Sequence, residues 1–350
     1  MNTNEVCNLI NISSKSLRVY EDYGIVIPKR EKNNYRNYSK DDLLKLRTVK
    51  LLKELGFSLR DIKVLIDNNN CSSTQFIRSL YLQSKAIERK IYELKNIKST
   101  LTKSIDKILV SKKDDIENNY FINDIDTILK ENKSNRKQWV DMWGFDNKAV
   151  KFDKMVRDRS NDELGLFEKY DDILIKVRNE IIKYGAKKVI DIGCGTGNLC
   201  GELSGSIEVL GIDQSLEMIL QAKNKYSNMN LKLGNFLDKP FQKNYFDIVV
   251  TTYAFHSLNH EEKKKAINNM LEYLNDDGKI IIIDFMFVNN KEKDKCREKL
   301  LSENKNQLWD VINNKYYTIL DEFKNHITML GYKIRTDHII NFTWLVEIEK

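Results

Sequence analysis

No stretch of the 350-residue sequence approaches the ~20 consecutive apolar residues of a membrane-spanning helix. The longest candidate, Ile280 to Ile283, is cut by Asp284 and reads instead as a buried strand. The first residues, MNTNEVCNLI, lack the basic flank and apolar core of a secretory signal. A cytoplasmic protein without a membrane partner is therefore expected. Cysteine is sparse. Cys7, Cys71, Cys194, Cys200 and Cys296 form no CxxC pair and leave one over. That pattern argues against a disulfide frame and a zinc cage, and no metal site is expected. Proline and glycine are both missing from residues 73–112, so nothing there interrupts a helix.

That uninterrupted stretch organises the chain. Leu80, Ile87, Ile91, Leu94, Leu101, Ile105 and Ile108 recur at steps of seven, split four and three, with Ser84 and Lys98 at the remaining seam positions. Lys, Arg and Glu fill the other faces. This is an a/d stripe on a helix of about 60 Å at 1.5 Å per residue. A stripe so narrow needs a partner helix, either the same helix of a second copy or its own domain. The spacing predicts a homodimer through residues 73–112. Charge divides the chain at the same place. Residues 1–70 hold 13 basic and 9 acidic residues, 71–119 hold 10 and 6, and 120–350 hold 35 and 36. The net charge of +7 thus lies in the first third, which suits a polyanion partner for that part.

Residues 1–70 read as short helices. Asn2 to Glu5 resembles a cap, and Asn11 to Ser13 breaks the first helix. Ser14 or Ser13 caps a second, over 15–23, which stops at Gly24. Two short helices across a tight turn make a helix-turn-helix, whose second helix enters the major groove N-terminus first. An extended run from Ile25 to Arg30 and a turn at Asn33 and Asn34 lead into Tyr35 to Tyr38, a two-stranded wing. Further helices follow over 41–55 and from Ser58 to about Asp67. In this order, residues 16–25, Pro28, residues 35–39 and residues 55–59 resemble the MerR family of winged helix-turn-helix activators. The resemblance implies double-stranded operator DNA as a partner and association with the nucleoid when bound. Its DNA contacts carry over to Ser14, Lys15, Arg18 and Tyr20 on the recognition helix, and to Tyr35, Arg36 and Tyr38 on the wing. Val19 stands where the family usually has an aromatic, and Asn34 where the wing usually has Gly. The metal-sensing members' cysteines are missing from the far end of the helix, which argues against a metal effector.

Residues 113–138 read as a linker and 139–350 as a second domain, opened by Trp139, Trp143 and Phe145. Short β-rich runs then alternate with helical ones, the pattern of a doubly wound α/β sheet. Strands are expected over 188–192, 208–213, 231–234, 246–251 and 279–285, with helices over 171–184, 198–203, 216–226 and 261–274. Two closing strands, 332–339 and 342–348, form an antiparallel hairpin.

The chemistry begins at Asp191, Gly193, Cys194, Gly195, Thr196 and Gly197. A buried strand must turn sharply here, and glycines let backbone approach a ligand. The spacing is GxGxG rather than the GxGxxG of dinucleotide sites, which suits a ligand without phosphate. Asp191 can place an ammonium group. Asp213 ends the second strand, where a carboxylate can accept from ribose hydroxyls. From Gly144 onward the chain resembles the class I S-adenosylmethionine-dependent methyltransferases. Residues 210–218 look like their ribose-binding segment, Gly234, Asn235 and Phe236 like the adenine-binding segment, and residues 247–258 like the fourth strand and its lip. Phe145, Asp146, Ala149, Phe152 and Asp153 resemble the helix that closes over the ligand. The resemblance implies a Rossmann-like sheet and S-adenosylmethionine (AdoMet) or S-adenosylhomocysteine held by Asp191, Gly193, Cys194, Gly195, Asp213, Gln214, Asn235 and Phe236. Asn235 replaces the usual Asp, Phe152 a frequent Tyr, and Ser257 a second His.

Methyl transfer needs an acceptor lone pair in line with the S–CH3 bond, and positioning supplies most of the rate. A base is needed only when the acceptor must lose a proton. Tyr253 and His256 are the catalytic candidates, although Tyr253 can be pocket wall and His256 a capping or cofactor-lip residue. The sequence thus predicts a MerR-type regulator whose C-terminal domain binds AdoMet and either methylates a small molecule or senses an effector. The competing reading is a methyltransferase that its N-terminal part only dimerises or recruits.

Overall fold

The computed structural model describes residues 1–31, 33–67, 73–110, 145–158, 160, 162–238 and 241–350. The expected linker over 113–138 and the aromatics Trp139 and Trp143 lie outside them, as do the side chains of Ile105 and Ile108. The chain divides into two compact units, Met1–Met142 and Trp143–Lys350. Among the described residues no helix is long and apolar enough to cross a membrane.

In the first unit, Asn2 and Glu5 close a reciprocal capping box on α1 (Thr3–Ile10), which Asn11 ends in the left-handed region. Ser13 caps α2 (Ser14–Asp22) through the Ser16 N–H. β1 (Lys29–Arg30) pairs antiparallel with β2 (Arg36–Asn37) across a turn where Asn34 takes φ +65°. Ser39 and Asp42 box the start of α3 (Lys40–Glu54), and α4 (Leu59–Asp67) follows. Val6, Leu17, Leu46, Val49 and Ile62 form the core these helices share. The long helix, α5 (Ser73–Val110), packs Leu80 against that core, and Gln83 donates to the Leu55 carbonyl at 3.0 Å. Beyond that contact Ile87, Ile91, Leu94 and Leu101 are each 43–55% exposed in the single chain.

In the second unit, α6 (Phe145–Met155) and α7 (Tyr170–Tyr184) precede the sheet. Five parallel strands stand in the order β5 (Asn230–Leu233), β4 (Glu208–Asp213), β3 (Lys188–Ile192), β6 (Phe246–Thr252) and β7 (Leu274–Phe287). β10 (Thr343–Glu349) then runs antiparallel to β7 and to β9 (Lys333–Ile340). The short β8 (Thr318–Ile319) pairs with the end of β7. The apolar runs of β3 and β6 are buried on both faces. α7 and α8 (Leu216–Lys225) cover one, while α9 (His260–Tyr273) and α12 (Leu320–Met329) cover the other. Chain order reverses between β3 and β6, the kind of switch point outside whose strand carboxyl ends open α/β sheets bind ligands. Two further helices, α10 (Asn290–Ser302) and α11 (Asn306–Asn313), fill a stretch the sequence pattern left unassigned.

One expected helix is absent. Residues 198–203 contain only a single 3-10 turn, Gly201–Leu203. The Tyr226 ring packs where a Gly201 Cβ would stand, and the Asn198 side chain is drawn to Asp153. The chain is shaped by these tertiary contacts rather than by helical bonding.

The wing is tied to α2 by one carboxylate. Glu21 accepts from Arg36 Nε at 2.6 Å and from Arg30 at 2.8 Å. Burial pulls the Glu21 carboxyl upward, but Arg36 and Arg30 together hold it below its ordinary value. This contribution is present above the unfolded pKa near 4.5 and is lost as acid takes the pH through the lowered folded value. Glu21→Ala is expected to cost the first unit ~1–2 kcal/mol near neutrality and to flatten the acid limb of its unfolding, read by circular dichroism against pH.

Candidate functional site

The turn after β3 is built by three glycines with φ between +54° and +79°. A Cβ on Gly193 would stand 2.4 Å from the Ala254 Cβ, so only glycine fits there. A Cβ on Gly195 would meet nothing within 4 Å, which leaves that face of the loop open. The N–H groups of Gly193 and Cys194 both donate to the Ile212 carbonyl, at 2.8 and 2.9 Å. Asp213 finishes the job. Its carboxylate accepts from Gly195 N at 2.9 Å and from Ser215 N at 2.8 Å, joining the ends of β3 and β4. Burial raises the Asp213 pKa to about 6, against the pull of these N–H donors.

Beneath the loop lies a carboxylate with no such support. Asp191 is 0% exposed, and among the described residues neither of its oxygens has an N–H or O–H partner. Burial pushes its pKa up to about 7. The weakly donating Cys200 thiol opposes the rise, and the nearby Asp213 adds to it. The thiols of Cys194 and Cys200 are themselves raised well above their usual range by the same burial, so neither is a poised nucleophile.

α6 is latched over this region at both ends. Asp146 accepts from Ser215 Oγ at 2.5 Å and from Glu217 N at 3.3 Å. Asp153 accepts from Thr196 Oγ1 at 2.6 Å, Asn198 Nδ2 at 2.9 Å and Lys225 Nζ at 2.6 Å. Burial raises the Asp153 carboxyl, but Lys225, Thr196 and Asn198 outweigh it and hold it below its ordinary value. Thr196 and Asn198 flank Gly197, so their role in this knot was within reach of the motif. Lys225 lies 72 residues from Asp153, and no local pattern pairs them.

The remaining nucleoside-segment residues differ in role. The Asn235 amide oxygen accepts from the Leu237 N–H at 2.8 Å, closing an Asx turn. Phe236 packs edge-on to Phe255 and lies beside Gly193. Gln214 is on the surface at the end of β4.

The two candidate bases sit at the lip of β6. Tyr253 adopts φ +51° and is packed among Tyr170, Phe167 and Phe285, with centroids 5.1–5.7 Å away. Burial drives its phenol pKa upward. His256 is buried, its Nδ1 2.7 Å from Asp284 Oδ1. Asp284 also accepts from the N–H groups of His256 and Phe285, both at 2.7 Å. Burial pulls the Asp284 carboxyl up, yet His256 and these N–H groups leave it below its ordinary value.

On the first unit, Ser14, Lys15 and Arg18 are exposed along the start of α2, and Tyr35 is exposed on the wing. Two other expected DNA contacts are corrected. Tyr20 and Tyr38 lie in the core, with Tyr38 only 3% exposed, so their rings hold the helices together. Arg36 is part-buried and paired with Glu21.

The Asp191 geometry has a consequence for pH dependence. An unfolded aspartate titrates near 3.8, the folded one near 7. Between these values the folded chain holds a proton that the unfolded chain has released, so stability falls as pH rises. The slope from this group reaches about 1.4 kcal/mol per pH unit. Asp191→Asn is expected to remove that slope in ligand-free protein, measured as midpoint against pH in urea unfolding.

Comparison with known proteins agrees with both halves. Residues 184–324 match the family described as a methyltransferase domain, and residues 1–69 match the MerR HTH family regulatory protein. A protein of Staphylococcus carnosus described as an uncharacterized methyltransferase is 34% identical over 207 residues, 58% of this chain and 95% of its own length. Its counterpart in Alkaliphilus oremlandii is 32% identical over 203 residues, 58% of this chain and 94% of its own. The solved magnesium protoporphyrin IX methyltransferase of Synechocystis with bound SAH is 17% identical, covering 58% of this chain and 95% of its own, with a TM-score of 0.44. The chain belongs to the methyltransferase family of these relatives and carries a MerR helix-turn-helix domain ahead of it.

Proposed function

We propose that the second unit binds AdoMet in the crevice between the Gly193–Gly197 loop and α6, and methylates a small molecule there. The buried Asp191 carboxylate, with no N–H or O–H donor among the described residues and only the weak Cys200 thiol beside it, lies under a loop with one open face and carries this reading. An ammonium group is the partner such a carboxylate lacks. Asp213 keeps lone pairs for ribose hydroxyls after holding Gly195 and Ser215, since a carboxylate offers about four acceptor sites. Phe236 and the turn of Asn235 form an apolar wall for a base. AdoMet, when bound, supplies a methyl group on an electrophilic sulfonium. The chain's part is to orient and to exclude water, and the Asp146 and Asp153 latches hold α6 closed for that. Asp284 fixes the His256 ring and its tautomer, so His256 is the group that takes a proton if the acceptor must lose one.

The first unit is read as the DNA-binding head of a transcriptional regulator. Exposed Lys15 and Arg18 at the start of α2 support it, with Tyr35 on the wing. The exposed stripe of α5 supports a homodimer through residues 73–112, because four large apolar side chains in line are costly in water. With such a head attached, the second unit also reads as the effector-sensing domain. That requires AdoMet or its product to bind two arrangements of the dimer unequally.

Titration calorimetry with AdoMet is expected to give saturable heat with the intact chain and at least tenfold weaker binding with Asp191→Ala; no heat from the intact chain defeats the reading. Arg18→Ala is expected to weaken binding to the chain's own upstream DNA and lower the salt slope by about one, with gel-shift affinity unchanged as the contrary result. Ile91→Asp with Leu94→Asp is expected to give monomers in sedimentation; a surviving dimer removes the stripe as the interface.

A further inference from the structure

A second cavity, of about 490 Å3, opens where α9, β8 and α12 meet. Its wall is strongly basic. Lys263, Lys264, Lys293 and Lys315 line it with His260 and His326, against one carboxylate, Glu322. Two of these cations are not ordinary surface lysines. Lys263 is 6% exposed, donates to the Tyr316 carbonyl, and lies 5.6 Å from the Phe255 centroid. Burial pulls its pKa down to about 8, with Asp284 opposing and Lys293 adding to the fall. Lys315 is lowered by burial as well and lies 5.4 Å from the Phe285 centroid.

Holding two amines in so dry a place needs a counter-charge. The carboxylates nearby are committed elsewhere. Asp284 serves His256 and two backbone N–H groups. Asp162, which also bears on Lys315, accepts from the N–H groups of Leu166 and Phe167, while Lys148 adds a further positive charge. Glu322 accepts from Asn290 Nδ2, and Lys264 is paired with Glu261. Three neutral polar atoms of the lining residues lack partners as well, each closed off from the cavity by its own burial. Thr318 and Tyr317 are 5% and 7% exposed, and their hydroxyls have no partner among the described residues. The His326 Nε2 is in the same state. Each buried polar group left so costs ~1–3 kcal/mol. The net positive charge of this wall is what an anion in the cavity would neutralise.

We propose that this cavity binds a small organic anion, a carboxylate or phosphate ester. Lys263 and Lys315 are its charge partners, and Ile319 and Phe323 its apolar wall. The cavity adjoins the β6 lip. Tyr316 N donates to the His256 carbonyl at 3.0 Å, and the Tyr317 ring lies 6.3 Å from the His256 ring. Resting on the methyltransferase reading, the anion is the acidic end of the methyl acceptor, and binding of the anion itself is independent of that step.

The test is calorimetric titration of the full chain with inorganic phosphate and, separately, malonate, at low ionic strength and neutral pH. Saturable binding of at least one is expected, weakened tenfold or more in Lys315→Gln. The better-bound of the two separates phosphate esters from carboxylates. Circular dichroism and AdoMet titration of the same samples are expected unchanged, which separates failure here from failure of the nucleoside site. Saturation by neither anion, equal binding of chloride, or full affinity in a natively folded Lys315→Gln overturns the proposal. Lys263→Met offers a second variant, with loss of phosphate- or malonate-induced thermal stabilisation as its readout.

Discussion

Asp191 is a carboxylate folded into the centre of a parallel sheet. Its strand register puts it opposite Gly211 on one side and Val250 on the other, so its own element supplies it with no side-chain donor. The backbone that could have turned N–H groups toward it is spent elsewhere. Gly193 and Cys194 donate to Ile212, and Gly195 donates to Asp213. The loop is therefore held in shape without using the one strong acceptor it covers. Sites that bind charged ligands commonly carry such a deficit in the free protein, because groups arranged for a ligand cannot also be satisfied by the fold.

The neighbouring carboxylates show the opposite arrangement. Asp153 and Asp146 are fully engaged, and each fastens α6 to a different part of the crevice rim. These bonds join elements far apart in sequence and are made by short polar side chains at the ends of strands and helices. They are exchangeable in a way that packed apolar contacts are not, since water can replace a hydrogen-bond partner at modest net cost. A helix held mainly by two carboxylates can thus close over a ligand and release it without disturbing the core beneath β3 and β6.

A similar economy governs the first unit. Its small core leaves little to spare, and the wing, two residues per strand, cannot stand alone. Glu21 gives it a fixed place by drawing Arg30 and Arg36 onto α2. Arg36 thereby ties the wing to α2, while Lys15 and Arg18 at the start of α2 stay in solvent. The long α5 then carries its apolar stripe away from that core, where Ile91 and Leu94 are about half exposed.

Much of this was legible in the residues alone. Alternation of β-rich and helical runs, the glycine spacing after Asp191, the caps at Asn2 and Ser39 and the heptads of α5 all act through near neighbours or simple periodicity, so the sequence by itself determined the two-part organisation, the strand positions and the location of the glycine turn. It could not distinguish Tyr38 in the core from Tyr35 in solvent, because both fit the same wing pattern. It predicted a helix after Asn198 where Tyr226 and Asp153 impose a turn, and it left the lysine-lined cavity unseen. Those outcomes hang on contacts between residues tens of positions apart, such as Asp153 with Lys225 or Lys263 with Tyr316. Only the tertiary structure decides them, because burial and partner geometry, not residue type, set whether a polar group is satisfied.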